Sequence, residues 1–292
     1  MTQNHNTRRP PMPSCVNLVA SLSFALLCAA VAPGARGVDI VGHRGASADA
    51  PENTVSSWKL GYQQGADACE LDIHLTKDGK IIVSHDPNTK RTAGVDKKIV
   101  ETNFDELRKL DVGKWGKWAG KGFTEKLPTL DEALALVPPG KRFLIEIKTH
   151  AEIMPALEEV IRRTPLKPEQ TVFISFQYDA IEAAKRAFPD RQAYWLADWK
   201  KDKKTGQFPD LDNLIKKAKA AKLDGLDLND KFPLDAAAVK KIHDAGLQCH
   251  VWTVDDPAKA RELAKAGVDS ITTNRPGALR KELEQQPPQA GR

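Results

Sequence analysis

Cysteine is scarce in this chain, with four in 292 residues, and methionine scarcer, with three. Cys15 and Cys28 fall within the first 37 residues, which leaves Cys69 and Cys249 for any folded body. So few exclude a disulfide-dense scaffold and a cysteine-clustered zinc site. Both adjoin strand positions that face inward (Glu70 and His250), so alternation turns both thiols outward, as small apolar residues under covering helices. Aromatics make up only 6% of the chain. No basic stripe interleaved with aromatics occurs, which excludes a nucleic-acid footprint. The net charge of +5 is partly local, because Arg8, Arg9 and Arg36 stand in a segment without a single acid. Without those three the remaining excess is two positive charges. Beyond residue 37 no apolar run is long enough to cross a bilayer.

What is present at the N-terminus reads as an export leader over residues 1–37. Arg8-Arg9 supplies a positive start and Val16–Ala32 an apolar stretch short of a full membrane span. Ala35-Arg36-Gly37 sets small residues where a signal peptidase reads, so cleavage is expected after Gly37, with Ala30-Val31-Ala32 a poorer site because Pro33 follows. Leu27 before Cys28 is too large for a lipid-attachment site. The expected product is exported, periplasmic or secreted, without stable membrane insertion.

From residue 38 onward strand-like and helix-like segments alternate. Strands are expected at 38–41, 68–75, 143–147, 171–175, 193–196, 225–228, 248–254 and 270–272. Helices are expected at 54–64, 130–137, 153–163, 179–187, 211–221, 235–245, 257–266 and 276–284. Eight strand-then-helix units in this length predict an α/β fold, a closed (β/α)8 barrel, rather than an open doubly wound sheet. One unit is swollen: about residues 86–128 form an insertion after the second strand, rich in glycine and carrying Trp115, Trp118 and Phe123. Its aromatics are candidates for a lid or for packing against the barrel. The tail 285–292 is expected to fray.

Three stretches carry the chemistry: His43-Arg44-Gly45 with Pro51-Glu52-Asn53-Thr54; Glu70-Leu71-Asp72 with His85-Asp86; and Glu146-Ile147-Lys148. Each follows or ends an apolar run, and alternation points Glu70 with Asp72, and Glu146 with Lys148, to common faces. Carboxylates side by side repel unless a cation sits among them. Three of them, beside two histidines, an arginine and a lysine, describe a hard divalent ion next to an anion such as phosphate. Isolated charges of this kind usually make surface salt bridges. Against that, five strand ends carry such groups while the opposite ends do not.

These stretches resemble the glycerophosphodiester phosphodiesterase family. The resemblance runs from VGHRGASADAPENT through ELDIHLTKDGKIIVSHD, LPTLDEAL, FLIEIK, FISFQ and HVWTV to GVDSITTNRP, in order, over nearly all of the chain after residue 37. It implies a metal-dependent barrel enzyme, a phosphoric diester hydrolase that cleaves small-molecule glycerophosphodiesters to sn-glycerol 3-phosphate and an alcohol. Residue by residue it implies Glu70, Asp72 and Glu146 as metal ligands and His43 with His85 as the acid–base pair. It implies Arg44 and Lys148 as phosphate contacts, Glu52 as a site carboxylate and Trp252 as an aromatic at the mouth. The cation is expected to be Ca2+, with Mg2+ the alternative, because every proposed ligand is a carboxylate. Asn274 stands where many relatives carry an acid. His74 and His250 are expected to be structural, and His150 and His243 solvated. Two other readings remain: a phospholipase D-like hydrolase of lysophospholipids or sphingomyelin, and a non-catalytic exported phosphodiester-binding protein.

Overall fold

The computed structural model describes residues 1–2 and 37–285. The apolar stretch Val16–Ala32 lies outside the described residues. The strands are β1 (Asp39–Gly42), β2 (Ala68–Leu75), β3 (Ile81–Val83), β4 (Arg142–Ile147), β5 (Thr171–Ser175), β6 (Ala193–Ala197), β7 (Gly225–Asn229), β8 (Gln248–Trp252) and β9 (Ser270–Thr273). Eight of them are parallel neighbours in the order β1-β9-β8-β7-β6-β5-β4-β2, and β1 pairs with β2 to close the barrel. The expected (β/α)8 architecture is therefore the observed one.

The helices, in chain order, are α1 (Val55–Gln63), α2 (Lys90–Ala93), α3 (Phe104–Leu107), α4 (Leu130–Leu134), α5 (Met154–Arg163), α6 (Tyr178–Ala187), α7 (Leu211–Ala220), α8 (Ala236–Asp244), α9 (Pro257–Ala266) and α10 (Pro276–Gln285). Local sequence sets several starts. Asp235 accepts from the Ala238 amide at 2.8 Å and Asp256 from the Ala258 amide at 2.9 Å, satisfying amides at the first turns of α8 and α9. Thr129 and Glu132 form a reciprocal capping box on α4. Apolar stripes such as Leu157, Val160 and Ile161 of α5 face the strands.

Strands of the barrel are buried on both faces. Outward residues, among them Leu71, Ile73, Phe143, Ile145 and Phe173, pack beneath the helices. Cys69 and Cys249 lie in this outer layer, both free and both buried. Inward residues Val41, Ala68, Leu144, Val172, Ile174, Tyr194 and Leu196 fill the interior. Gly225 makes room for that filling, since a Cβ there would stand 2.8 Å from the Tyr194 ring.

One strand is additional. Ile81–Val83, too short to show as a strand in the sequence, forms β3 and pairs antiparallel to the far half of β2 (Ile73↔Val83, Leu75↔Ile81). A tight turn joins them, with the Thr76 amide donating to the Lys80 carbonyl at 2.9 Å. The hairpin brings the chain back to the end of β2, where the Ser84 amide donates to the Asp72 carbonyl at 3.0 Å. At the other end of the chain, β8 stops at Trp252, two residues short of the expected limit. The insertion carries α2 and α3 and builds a small core of Ile82, Ile99, Leu107, Val112 and Leu127.

Candidate active site

The carboxyl ends of β1, β2 and β4, with the segments that follow them, build one cavity of about 60 Å³. It is lined by His43, Arg44, Glu70, His85, Glu146 and Lys148 on one side, and by Phe176, Asp227 and Trp252 on another. Asp72 lies just beneath, within reach of both Arg44 (3.4 Å) and Lys148 (3.2 Å). Glu52 joins through Arg44, whose Nη1 donates to Glu52 Oε1 at 2.8 Å. The nine residues singled out in the sequence thus converge on one place.

Glu70 and Asp72 face inward from β2 and Glu146 from β4, in register with Asp72. All three are buried, at 2%, 0% and 8% exposure, and one oxygen of each lies within 4.8 Å of the others. Such crowding separates their protonation. Burial, then Asp72 and Glu146, push Glu70 well above the usual carboxylate range. Burial and Asp72 bring Glu146 up to about 7. Burial also works against ionised Asp72, but Lys148 and Arg44 outweigh it and hold that carboxyl well below its ordinary value. Glu70 Oε1 has no hydrogen-bond partner. A divalent cation fits this donor set: hard oxygens only, more negative charge than the two local cations satisfy, and an oxygen otherwise orphaned.

The loop after β1 is shaped by the same group. Arg44 and Asn53 adopt left-handed backbone conformations (φ 55° and 56°), a strain rarely kept without a compensating contact. Here the Arg44 amide donates to Glu70 Oε2 at 2.8 Å. Asn53 Nδ2 donates to Asp72 Oδ2 at 2.7 Å. Gly45 is obligatory in this turn: its φ is 87° and a Cβ would lie 2.5 Å from the Ser57 carbonyl carbon.

Both histidines are anchored through Nδ1, but by different groups. His43 Nδ1 lies 2.7 Å from Asn274 Oδ1, and burial with Arg44 nearby lowers its pKa to about 4. His85 Nδ1 lies 2.7 Å from the Asp86 carboxylate. Burial lowers His85 as well, opposed by the charges of Asp72 and Asp86. Arg91 of α2 binds Asp86 through Nε (2.7 Å) and Glu52 through Nη2 (2.8 Å). Its guanidinium also stands 4.8 Å over the Trp115 ring. Trp115 lines a neighbouring groove with Glu52, Lys117, Asp255 and Arg275. Trp118, by contrast, is buried edge-on against Phe123 at 5.5 Å.

Trp252 lies on the apolar side, edge-on to Phe176 at 5.3 Å, its Nε1 donating to the Asp227 carbonyl at 3.2 Å. His74 bonds the His85 carbonyl through Nε2 at 3.3 Å. His250 leans against Tyr194, ring centroids 4.1 Å apart and ring planes tilted by 38°. His150 and His243 pair with Asp179 and Asp269 near the surface. Sequence reasoning missed Arg91 and Asp227, and placed Asn53 and Phe176 in its motifs without giving them a role. Arg91 had no signal, being one basic residue among several in the insertion. Asp227 had one: an acid in the middle of an otherwise apolar strand, GLDLN.

One expectation needs correction. The opposite ends of the strands also carry charge, in a depression lined by Asp39, Asp67, Lys141 and Arg142. There the charges answer one another. Arg142 pairs with Asp39, and Asp67 with Lys141 and Arg280. Mutual pairing, not absence of charge, distinguishes that end from the crowded carboxylates above.

Similarities to known proteins bear on this geometry. The sequence profile of the glycerophosphoryl diester phosphodiesterase family matches residues 43–278. A glycerophosphodiester phosphodiesterase from Caldanaerobacter subterraneus subsp. tengcongensis is 31% identical over 248 residues, covering 82% of this chain and 95% of that protein. The structure of an Oleispira antarctica phosphodiesterase in complex with the product sn-glycerol-3-phosphate is similar with a TM-score of 0.74 at 27% identity, over 85% of this chain and 97% of that one. The glycerophosphodiester phosphodiesterase of Thermotoga maritima gives a TM-score of 0.68 at 27% identity, over 85% and 99%.

Proposed function

The chain belongs to the glycerophosphoryl diester phosphodiesterase family, whose members are phosphoric diester hydrolases, and from that premise we propose how it acts. It hydrolyses glycerophosphodiesters to sn-glycerol 3-phosphate and an alcohol, with a bound divalent cation and two histidines. The observation that carries this reading is the meeting of three buried carboxylates, two cationic side chains and two Nδ1-anchored histidines in one cavity.

Glu70, Asp72 and Glu146 hold the cation, Ca2+ in preference to Mg2+. When bound it supplies positive charge to the non-bridging phosphate oxygens as the transition state gathers negative charge. Arg44 and Lys148, fixed by Glu52, Asp72 and Glu146, present further positive charge preorganised at the same place. His43 spends its Nδ1 proton on the neutral amide oxygen of Asn274, which leaves Nε2 as an acceptor; it is the general base that takes a proton from the attacking water as the new phosphorus–oxygen bond forms and the bond to the alcohol breaks. His85 is backed by the Asp86 carboxylate, which offsets part of the lowering that burial imposes on it; it is the general acid that protonates the departing alcohol. The test is release of sn-glycerol 3-phosphate from glycerophosphocholine and glycerophosphoethanolamine, with and without chelator. Turnover surviving exhaustive chelation removes the cation from the mechanism.

The lysophospholipid reading has less support. It requires an apolar channel, yet Trp118 and Phe123 are spent on each other within the insertion. The binding-only reading leaves two separately anchored histidines without a purpose. We further propose export, supported by the composition of residues 1–37. Mass spectrometry of the mature protein should find a chain starting near Val38.

A further inference from the structure

Asp227 is a carboxyl group in the wrong surroundings. It faces inward from the middle of β7, in register with Leu196 of β6 and His250 of β8, and is 1% exposed. Its Oδ1 has no hydrogen-bond partner. His250 does not supply one: its Nε2 lies 3.4 Å from Gln248, its ring leans on Tyr194 and its Nδ1 has no partner either, so no hydrogen bond joins the two side chains. Nor is Asp227 part of the carboxylate cluster, which comprises Glu70, Asp72 and Glu146 alone among the described residues. A buried acceptor left unmatched is costly, and a fold retains one where something else satisfies it in the working state.

The cavity shows what that something is. Asp227 shares it with the phosphate-binding side (Arg44, Lys148, the carboxylates) and with an apolar wall of Phe176, Leu196 and Trp252. A ligand whose phosphate meets Arg44 and Lys148 extends its alcohol carbons along that wall, and a hydroxyl on those carbons comes within reach of Asp227. We propose that Asp227 is a specificity-determining residue that binds a hydroxyl of the glyceryl moiety and so selects polyol phosphoesters over alkyl ones. This rests on the phosphodiesterase reading for the placement of phosphate. An alkyl chain in the same place would leave the carboxyl buried and unpaired, which is how a polar site rejects an analogue lacking one hydroxyl.

Binding and turnover separate the two ideas. Calorimetry on the full protein with excess Ca2+ would compare sn-glycerol 3-phosphate with propyl phosphate, which keeps the carbons and phosphate but has no hydroxyl. Wild type should prefer the polyol by about tenfold or more. Asp227→Leu, close in shape, should erase the preference, and Asp227→Asn, still able to hydrogen-bond, should keep part of it. Should the Leu variant fail to fold, the Asn variant and a double comparison with 1,2-propanediol phosphate still measure the hydroxyl's worth. An unchanged preference in a folded variant, or no preference in wild type, overturns the assignment. Turnover of glycerophosphocholine is read separately: its absence in a wild type that still prefers the polyol through Asp227 defeats the phosphodiesterase reading and leaves this one standing.

Discussion

His43 Nδ1 and Asn274 Oδ1 stand 2.7 Å apart, and the amide that holds the histidine is itself held. Asn274 Nδ2 donates to Asp255 Oδ2 at 2.6 Å, and the Asn274 amide to Asp255 Oδ1 at 2.8 Å. With Nδ2 committed to a carboxylate, the oxygen of Asn274 must face His43, so Nδ1 carries the proton and Nε2 is the free base.

Replacing this neutral acceptor by a charged one gives a signed prediction. Asn274→Asp places a carboxylate beside the imidazole and favours its charged form, so the His43 pKa rises from its low folded value. The acid limb of the kcat/KM profile should move to higher pH. Asn274→Leu, which removes the anchor, should lower kcat at least about tenfold, a part of the roughly 10²–10⁴ that a positioned base contributes. A pH–rate profile of both variants checks this; an unmoved acid limb in Asn274→Asp means that His43 is not the base.

The carboxylate cluster makes a prediction about stability as well as activity. Without a cation, Glu70, Asp72 and Glu146 cannot all ionise at close range within a buried site, and Glu70 and Glu146 are driven toward their neutral forms. Adding Ca2+ or Mg2+ to metal-free protein should raise the melting temperature, by about 5–10 °C near 100 times the dissociation constant. Glu146→Gln removes one of the like charges. It should melt higher than wild type in chelator, gain little from added cation, and lose activity. Melting curves with and without cation settle it, and a wild-type protein indifferent to the ion would end the metal assignment.

How much of this was legible in the sequence depends on the range of the interactions. Glu70 with Asp72, and Glu146 with Lys148, declare themselves through strand alternation, and their strand ends through the apolar runs before them. The barrel follows from counting alternating segments. What stayed hidden depends on non-local packing. Ile81–Val83 becomes a strand only because β2 is long enough to offer it an edge. Arg91 becomes a brace between Glu52 and Asp86 only once the insertion folds over the mouth. Asn274 stood in a quoted motif, but its hold on His43 spans 231 positions of sequence. The charge at the opposite strand ends was overlooked because its balance is visible only where the pairs meet.

Acid stability provides a third test. Burial lowers the pKa of His250 to about 3, against an ordinary 6.5. The unfolded chain therefore binds a proton at this position between those values while the folded chain does not. Stability rises with pH where the unfolded state holds more protons, so acidification from about pH 6.5 toward 3 should destabilise the fold. One such group adds a slope of at most about 1.4 kcal/mol per pH unit. His250→Phe, which keeps a ring against Tyr194 but cannot titrate, should flatten that dependence in part, with His43 contributing the remainder. Denaturant melts at several pH values measure it, and an unchanged slope would show His250 protonated in the folded protein.

His85 offers the sharpest division between catalysis and support. It stands at the mouth because β3 returns the chain there, and Asp86 and Arg91 hold it in a chain of short contacts. If it moves a proton only as the phosphorus–oxygen bond breaks, His85→Ala removes an interaction made in the transition state. kcat should then fall by roughly 10²–10⁴-fold while affinity for sn-glycerol 3-phosphate stays nearly constant. A merely supporting His85 predicts the reverse: a lower melting temperature from a loosened Asp86 and Arg91, with turnover per folded molecule nearly intact. The leaving group adds a second reading. A substrate with a good leaving group, such as a nitrophenyl ester of glycerol phosphate, needs little protonation as it departs. The defect of His85→Ala should therefore shrink on that substrate and remain large on glycerophosphocholine. An equal defect on both would take the general-acid role from His85.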